Sequence, residues 1–211
     1  MKIGGSKVNW VMNLRKNILR NQQLAFCKNM FIAYEDEGEP CIDTLVLRDV
    51  VTEENDVYLV YFVDKRENLI KALEKNRKAA ISIYFPLSKE KFSFKTVIND
   101  KLITDKQRLD YWNNSFGKTD KLKFTKEAPN LKKTAKEEEY NAQCIESVSA
   151  NFHVLVCEVL KGDHWIYKMP EVVADARNPI FESEFKPYKK EKKFHFERGK
   201  DGNWLLEEVN P

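Results

Sequence analysis

Two strand-like runs a short loop apart constrain this chain more than any other feature: Cys41-Ile-Asp-Thr-Leu-Val-Leu-Arg48 and Leu59-Val-Tyr-Phe-Val-Asp-Lys-Arg66. Side chains alternate across an extended strand, so Ile42, Thr44 and Val46 share one face of the first run and Asp43, Leu45 and Leu47 the other. Glu53-Glu-Asn-Asp56 supplies turn residues, and the spacing predicts a hairpin whose second strand covers Val57 to Val63. That strand runs into a helical pattern. Asp64 is placed to cap the helix, Glu67 completes a capping-box-like pair, and Leu69, Ile70 and Leu73 form the apolar stripe. Lys75, Arg77 and Lys78 suit the negative end of its dipole.

The rest of the chain repeats this alternation. Trp10, Val11, Leu14 and Ile18 predict an amphipathic helix before the first strand, Met30 to Tyr34. Ala79 to Phe85 is a nearly continuous apolar strand, and Phe92, Phe94 and Thr96 alternate with Lys91, Ser93 and Lys95 in another. Thr104 and Gln107 form a capping-box pair opening a helix with Leu109, Trp112 and Phe116 on one side. Residues 117–147 shift to Lys, Glu, Thr and Asn and are expected to be a mobile, charged insertion within a single domain spanning 1–211. Phe152 to Val159 and His164 to Tyr167 read as separate strands. A last hairpin pairs Lys193 to Glu197 with Trp204 to Val209. Six or seven short strands with helices between them predict a mainly β fold, a small antiparallel barrel with peripheral helices.

Composition narrows the function. The 36 basic and 33 acidic side chains leave a net charge of only +3, so nucleic acid is not an expected partner. The lysine-rich run from Lys186 to Lys193 reads as a solvated loop. The four cysteines, Cys27, Cys41, Cys144 and Cys157, have no metal-like spacing, and His153, His164 and His195 read as structural or exposed, so no metal site is expected. No apolar N-terminal region or spanning segment is present, which makes a cytoplasmic, or also nuclear, location the expectation, with no membrane partner. No nucleophile, acid or base constellation stands out.

From Trp10 to Pro211, apart from the charged segment, the chain resembles the FMN-binding split barrels related to pyridoxamine 5'-phosphate oxidase. The likeness is to their short, mostly uncharacterised branch in bacteria, plants and fungi. That branch reads Arg-Thr-Val-Val-Phe-Arg, Thr-Asp-x-Arg-Ser-x-Lys and Arg-x-Gln-Phe-Arg. This chain reads Asp43-Thr-Leu-Val-Leu-Arg48, Val63-Asp-Lys-Arg-Glu-Asn-Leu69 and Lys89-Glu-Lys-Phe-Ser93, and it ends on Trp204 to Pro211 as the branch does. The resemblance implies a split barrel, a homodimer with FMN at the subunit interface, and oxidoreductase-like chemistry. By matched position it implies cofactor contacts from Arg48, Val63, Asp64, Lys65, Arg66 and Lys91.

The departures bear on the flavin phosphate, which carries more than one negative charge near neutral pH and is recognised by Arg, Lys or backbone N–H groups. Arginine is replaced by Asp43, serine by Glu67, lysine by Leu69 and glutamine by Lys91. Two readings therefore compete for Arg48 and Arg66: recognition of FMN or another phosphate-bearing small molecule, and ion pairing with Asp43, Asp49 or Glu67. Two functions compete with them: an FMN-dependent oxidoreductase of unknown substrate, and a non-catalytic split-barrel homodimer that has lost the flavin. Pyridoxamine phosphate itself is not the expected substrate, because the Arg-x-His element of the true oxidases is not found around Lys193-Phe-His195. The strand faces carrying Leu45, Leu47 and Tyr61, with the run from Ile81 to Phe85, are the expected apolar dimer surface.

Overall fold

In the computed structural model, the described residues are 9–99, 102–115, 121, 123–124, 147–167 and 191–211. Among these residues, three helices and eight strands follow in chain order: α1 (Asn9–Arg20), β1 (Asn29–Asp36), β2 (Glu39–Glu53), β3 (Asp56–Asp64), α2 (Asn68–Lys75), β4 (Lys78–Phe85), β5 (Glu90–Ile98), α3 (Asp105–Ser115), β6 (Phe152–Ile166), β7 (Lys192–Arg198) and β8 (Trp204–Val209). The strand order is β3-β2-β1-β4-β5-β6-β7-β8, and β3 also pairs with β6. That extra ladder closes six strands, from β3 round to β6, into a ring and leaves β7 and β8 as an extension. The sheet is mostly antiparallel, as alternation predicted. Closure satisfies the backbone groups that an open edge would leave unpaired.

The chain divides into two compact units. One contains residues 29–81 and 95–159. Its hairpin β1–β2 turns at Glu37-Gly38, both at positive φ, and its β2–β3 ladder carries a bulge between Leu47 and Asp49. β3 is buried on both faces, from Val57 to Asp64. One face joins Tyr58, Val60 and Phe62 to Trp112 of α3 and to Phe124, Phe152, Val154 and Val156. Thr104 opens α3 with the expected reciprocal cap: its N–H donates to Gln107 Oε1 at 2.9 Å, and Gln107 N–H donates to Thr104 Oγ1 at 3.2 Å. Leu109, expected on the buried side, is exposed, and Trp112 alone among the described apolar α3 residues is fully buried. The guanidinium of Arg108 instead holds the Ser149 and Phe152 carbonyls.

The other unit contains the described parts of 1–28, 82–94 and 160–211. Trp10 of α1 stacks on Phe196 at 4.4 Å and meets Trp204 edge-on at 5.2 Å. The next buried positions along α1 are Val11 and Leu14, as the pattern predicted, and then Asn17 rather than Ile18, followed by Asn21 just past the end of the helix. Polar residues occupy those slots because they have buried partners. Asn17 Nδ2 donates to Glu90 Oε2 at 2.7 Å, and Asn21 Oδ1 accepts the Leu87 N–H at 3.0 Å.

The two strands expected at Phe152 to Val159 and His164 to Tyr167 are one, β6. Gly162 makes this continuity possible. A Cβ there would collide with the Ser93 carbonyl oxygen and the Phe196 ring, so only glycine lets the backbones approach this closely. The charged stretch 117–147 lies outside the described residues except for Lys121, Lys123, Phe124 and Ser147. No helix among the described residues is long and apolar enough to cross a membrane.

Candidate functional site

The residues singled out around the β2–β3 hairpin do not form the helix cap that the sequence predicted. α2 begins at Asn68, and its N-cap position is Glu67, whose side chain makes no capping bond. Asp64 is engaged elsewhere. Its Oδ1 accepts the Arg66 backbone N–H and Nε–H, both at 2.9 Å, while its Oδ2 accepts Nη2–H at 2.7 Å. A turn closes beneath it, with Glu67 N–H donating to the Asp64 carbonyl at 3.0 Å. A short acidic side chain bonding the backbone two residues on is a strong local competitor of capping, and the arginine fork adds two charged bonds to it.

This ion pair bears on the question left open for Arg66. Arg66 pairs with Asp64, two residues away, and the fork raises the guanidinium pKa further above its ordinary value. Asp64 is 5% exposed, so the arginine is the counter-charge that permits a carboxylate there.

Arg48 occupies the β2 bulge. The regular alternation assumed for it therefore breaks at Arg48: Leu47 pairs with Tyr61 and Asp49 with Val60. Its guanidinium carbon lies 5.4 Å from the centroid of the Phe62 ring, a cation–π contact. Phe62 and Asp64 share one face of β3, so the Arg48 and Arg66 side chains are both associated with that face. Lys65 is exposed, and its backbone N–H donates to the Asn151 carbonyl at 2.8 Å. Val63 is 3% exposed and paired with His153 on β6, so any contact it offers a cofactor comes from its backbone. Lys91 is half-buried on β5 and belongs to the other unit.

Three of the four departures behave differently. Asp43 is exposed and accepts the Tyr34 hydroxyl at 2.7 Å, which pushes that phenol up together with its desolvation. Glu67 is half-buried; burial raises its carboxyl pKa, as do the charges of Asp64 and Asp43, while Lys123 lowers it. Leu69 is 1% exposed within the apolar face of α2. A lysine at that position in this chain would bury its stem and strand its ammonium, so Leu69 is a core residue and not a lost contact.

Residues that the sequence reading missed complete this wall. Phe124, from within the charged stretch, is fully buried against Trp112 and Phe152. Its carbonyl accepts Asn151 Nδ2–H at 2.8 Å and Ser149 Oγ–H at 3.0 Å. Asn151 thus ties Phe124 to the Lys65 turn. Lys123 Nζ lies 4.8 Å from the Phe124 ring centroid, and Lys121 Nζ 5.2 Å from that of Trp112. A lone phenylalanine among lysines was the only signal available. On the other unit, Lys192 and Lys193 are strand residues packed on Phe194 and Trp165, not part of a solvated loop.

Other clusters offer less. A cavity of about 40 Å³ lined by Ile70, Leu73, Glu74, Ile98, His153 and Leu155 has room for a water or two, not a flavin. No grouping of His, Cys, Asp and Glu among the described residues could hold a metal ion.

No protein-family model matches the sequence, and no curated protein matches it significantly. Solved structures do match. A pyridoxamine 5'-phosphate oxidase-related, FMN-binding protein from Nostoc punctiforme superposes with a TM-score of 0.70 at 19% identity, covering 98% of this chain and 100% of that one. PhzG from Burkholderia lata, solved with tetrahydrophenazine-1-carboxylic acid, gives a TM-score of 0.65 at 8% identity over 99% of this chain and 95% of that one. The agreement runs from end to end, β7 and β8 included, and identifies the fold as the split barrel of the pyridoxamine 5'-phosphate oxidase-related proteins.

Proposed function

We propose that this chain is an FMN-binding, oxidoreductase-like flavoprotein of the pyridoxamine 5'-phosphate oxidase-like family, working as a homodimer on a substrate still to be identified. The observation that carries the reading is the full-length likeness to an FMN-binding protein. The residues fit the cofactor's phosphate in kind. Arg48, Lys65, Arg66 and Lys123 offer cationic donors around the β3–α2 turn, and β3 offers backbone groups through Val63 and Asp64. When bound, the flavin supplies the redox chemistry, and the protein's part is to hold and orient it.

The test is a titration of FMN, followed by flavin fluorescence, into the wild type, Arg48→Ala and Asp43→Arg. Arg48→Ala is expected to weaken FMN by about 1.5–3 kcal/mol, roughly ten- to a hundredfold, the scale of a charged hydrogen bond. Arg66 is a poorer probe, since removing it also strands the buried Asp64.

A second reading keeps its place because of one observation: the Arg66 fork is directed at Asp64, with Asp43 and Glu67 nearby in charge. In that reading the barrel is a binding or interaction protein without flavin. It wins if the wild type shows no saturable binding while Asp43→Arg does. If none of the three binds, the cofactor does not belong to this chain.

The dimer surface proposed from sequence needs correcting. Leu45, Leu47, Tyr61, Ile81, Ile83 and Phe85 are all core residues, between 0 and 6% exposed. The exposed apolar side chains of this hairpin are instead Phe31, 57%, Ile42, 71%, and Val46, 39%, from β1 and β2. Register sets Phe31 opposite Thr44 and Ala33 opposite Ile42, so they share one face. Light scattering should give twice the chain mass of 24.8 kDa, and Ile42→Lys should give the monomer. A wild-type monomer at micromolar concentration would remove the interface.

A further inference from the structure

We propose that Lys123, delivered to the β3–α2 turn by the buried Phe124, joins Arg48, Lys65 and Arg66 at the flavin phosphate in this chain, in place of a lysine on α2. The proposal rests on the FMN reading above. Position 69 cannot supply the charge, because Leu69 is 1% exposed and packs in the apolar face of α2. Beyond Arg48, Lys65 and Arg66, a further cation for a phosphate at this turn therefore has to come from another element. The segment after α3 brings one.

The delivery is built from specific contacts. Phe124 is 0% exposed, its ring lies 5.2 Å from Phe152, and its carbonyl accepts from both Asn151 and Ser149. Asn151 in turn accepts the Lys65 N–H at 2.8 Å, so the backbone at residue 124 is one side chain removed from the turn. Lys123 is exposed, and its Nζ lies 4.8 Å from the centroid of the Phe124 ring. Its charge is felt at the turn: it lowers the Glu67 carboxyl pKa against burial and the neighbouring carboxylates. A dianionic phosphate at the turn would compete with Glu67 for this ammonium. Lysine suits this role, as a compact point charge on a flexible stem that can turn from one anion to another.

The experiment compares FMN with riboflavin, which has the same ring system without the phosphate. Both are titrated into the wild type, Lys123→Met, Lys123→Arg and, as a charge control, Lys16→Met on the exposed side of α1. Lys123→Met should weaken FMN about tenfold and leave riboflavin unchanged, whereas Lys123→Arg should stay within about twofold of the wild type. Lys16→Met should change neither. Unaltered FMN affinity in Lys123→Met, or equal weakening of FMN and riboflavin, overturns the role of Lys123 while the flavin reading stands. A wild type that binds neither molecule overturns both.

Discussion

Replacing Phe124 by alanine is expected to cost about 3–5 kcal/mol, because it empties a fully buried aromatic site whose neighbours are themselves rigid rings. Trp112, Phe152 and Phe62 cannot close over the gap without leaving their own packing, so little relaxation is available. The Asn151 and Ser149 bonds to the Phe124 carbonyl would persist only if the segment stayed docked. Urea unfolding of the variant should therefore show a lower midpoint with an unchanged slope. Deleting residues 125–146 makes the contrast. We expect that deletion, which spares Phe124, to leave the barrel folded, and limited proteolysis of the intact chain to cut first within 117–147. A Phe124→Ala variant as stable as the wild type would mean that the segment after α3 adds nothing to the core.

Phe124 also shows where sequence patterning stops. The barrel was legible because alternation is a local property: β1, β2 and β3 fall where the apolar periods place them, and the Thr104–Gln107 cap needs only residues three apart. The ends of elements were harder, because there a side chain chooses among partners. Asp64 had the spacing of a cap and instead took Arg66, two residues away, since a charged fork outcompetes an uncharged N–H. The Arg48 bulge leaves no periodic trace. Asn17 sits on the buried face of α1 because of Glu90, 73 residues on, which no window of sequence connects to it. The candidate site depends on these non-local choices, so Arg48, Lys65 and Arg66 could be named from the family pattern but not their partners. Lys123 and Asn151 could not be named at all. A lysine-rich stretch looks the same whether one phenylalanine anchors it or not.

Removing His164 should destabilise the other unit by a similar amount, about 3–5 kcal/mol, because it leaves the buried Glu90 carboxylate without a hydrogen-bond partner it needs. His164 and Glu90 are 3% and 9% exposed, with Nε2 and Oε2 only 2.6 Å apart. Nε2 must carry its proton to meet a carboxylate at that distance. The imidazole also stacks on Phe92 at 4.1 Å, nearly parallel, so His164→Ala loses packing as well as the bond. Asn17 donates to the same Glu90 oxygen, and the cluster thereby fastens α1 to β5 and β6. Glu90→Gln is expected to cost less, since its amide oxygen still accepts one of these donors. The two variants separate most clearly with pH. Burial raises the Glu90 carboxyl pKa, but the bonds from His164 and Asn17 outweigh it and leave the pKa below its ordinary value of 4.5. A carboxyl depressed on folding stabilises the protein fully above its unfolded pKa of about 4.5, and that stability drains away as pH falls through the lowered value. The wild type should therefore lose stability from about pH 4.5 downward more steeply than Glu90→Gln, while their curves run parallel nearer neutrality. Urea midpoints measured across that range decide the matter: equally steep acid limbs in both proteins would show that Glu90 is not held as a carboxylate by His164.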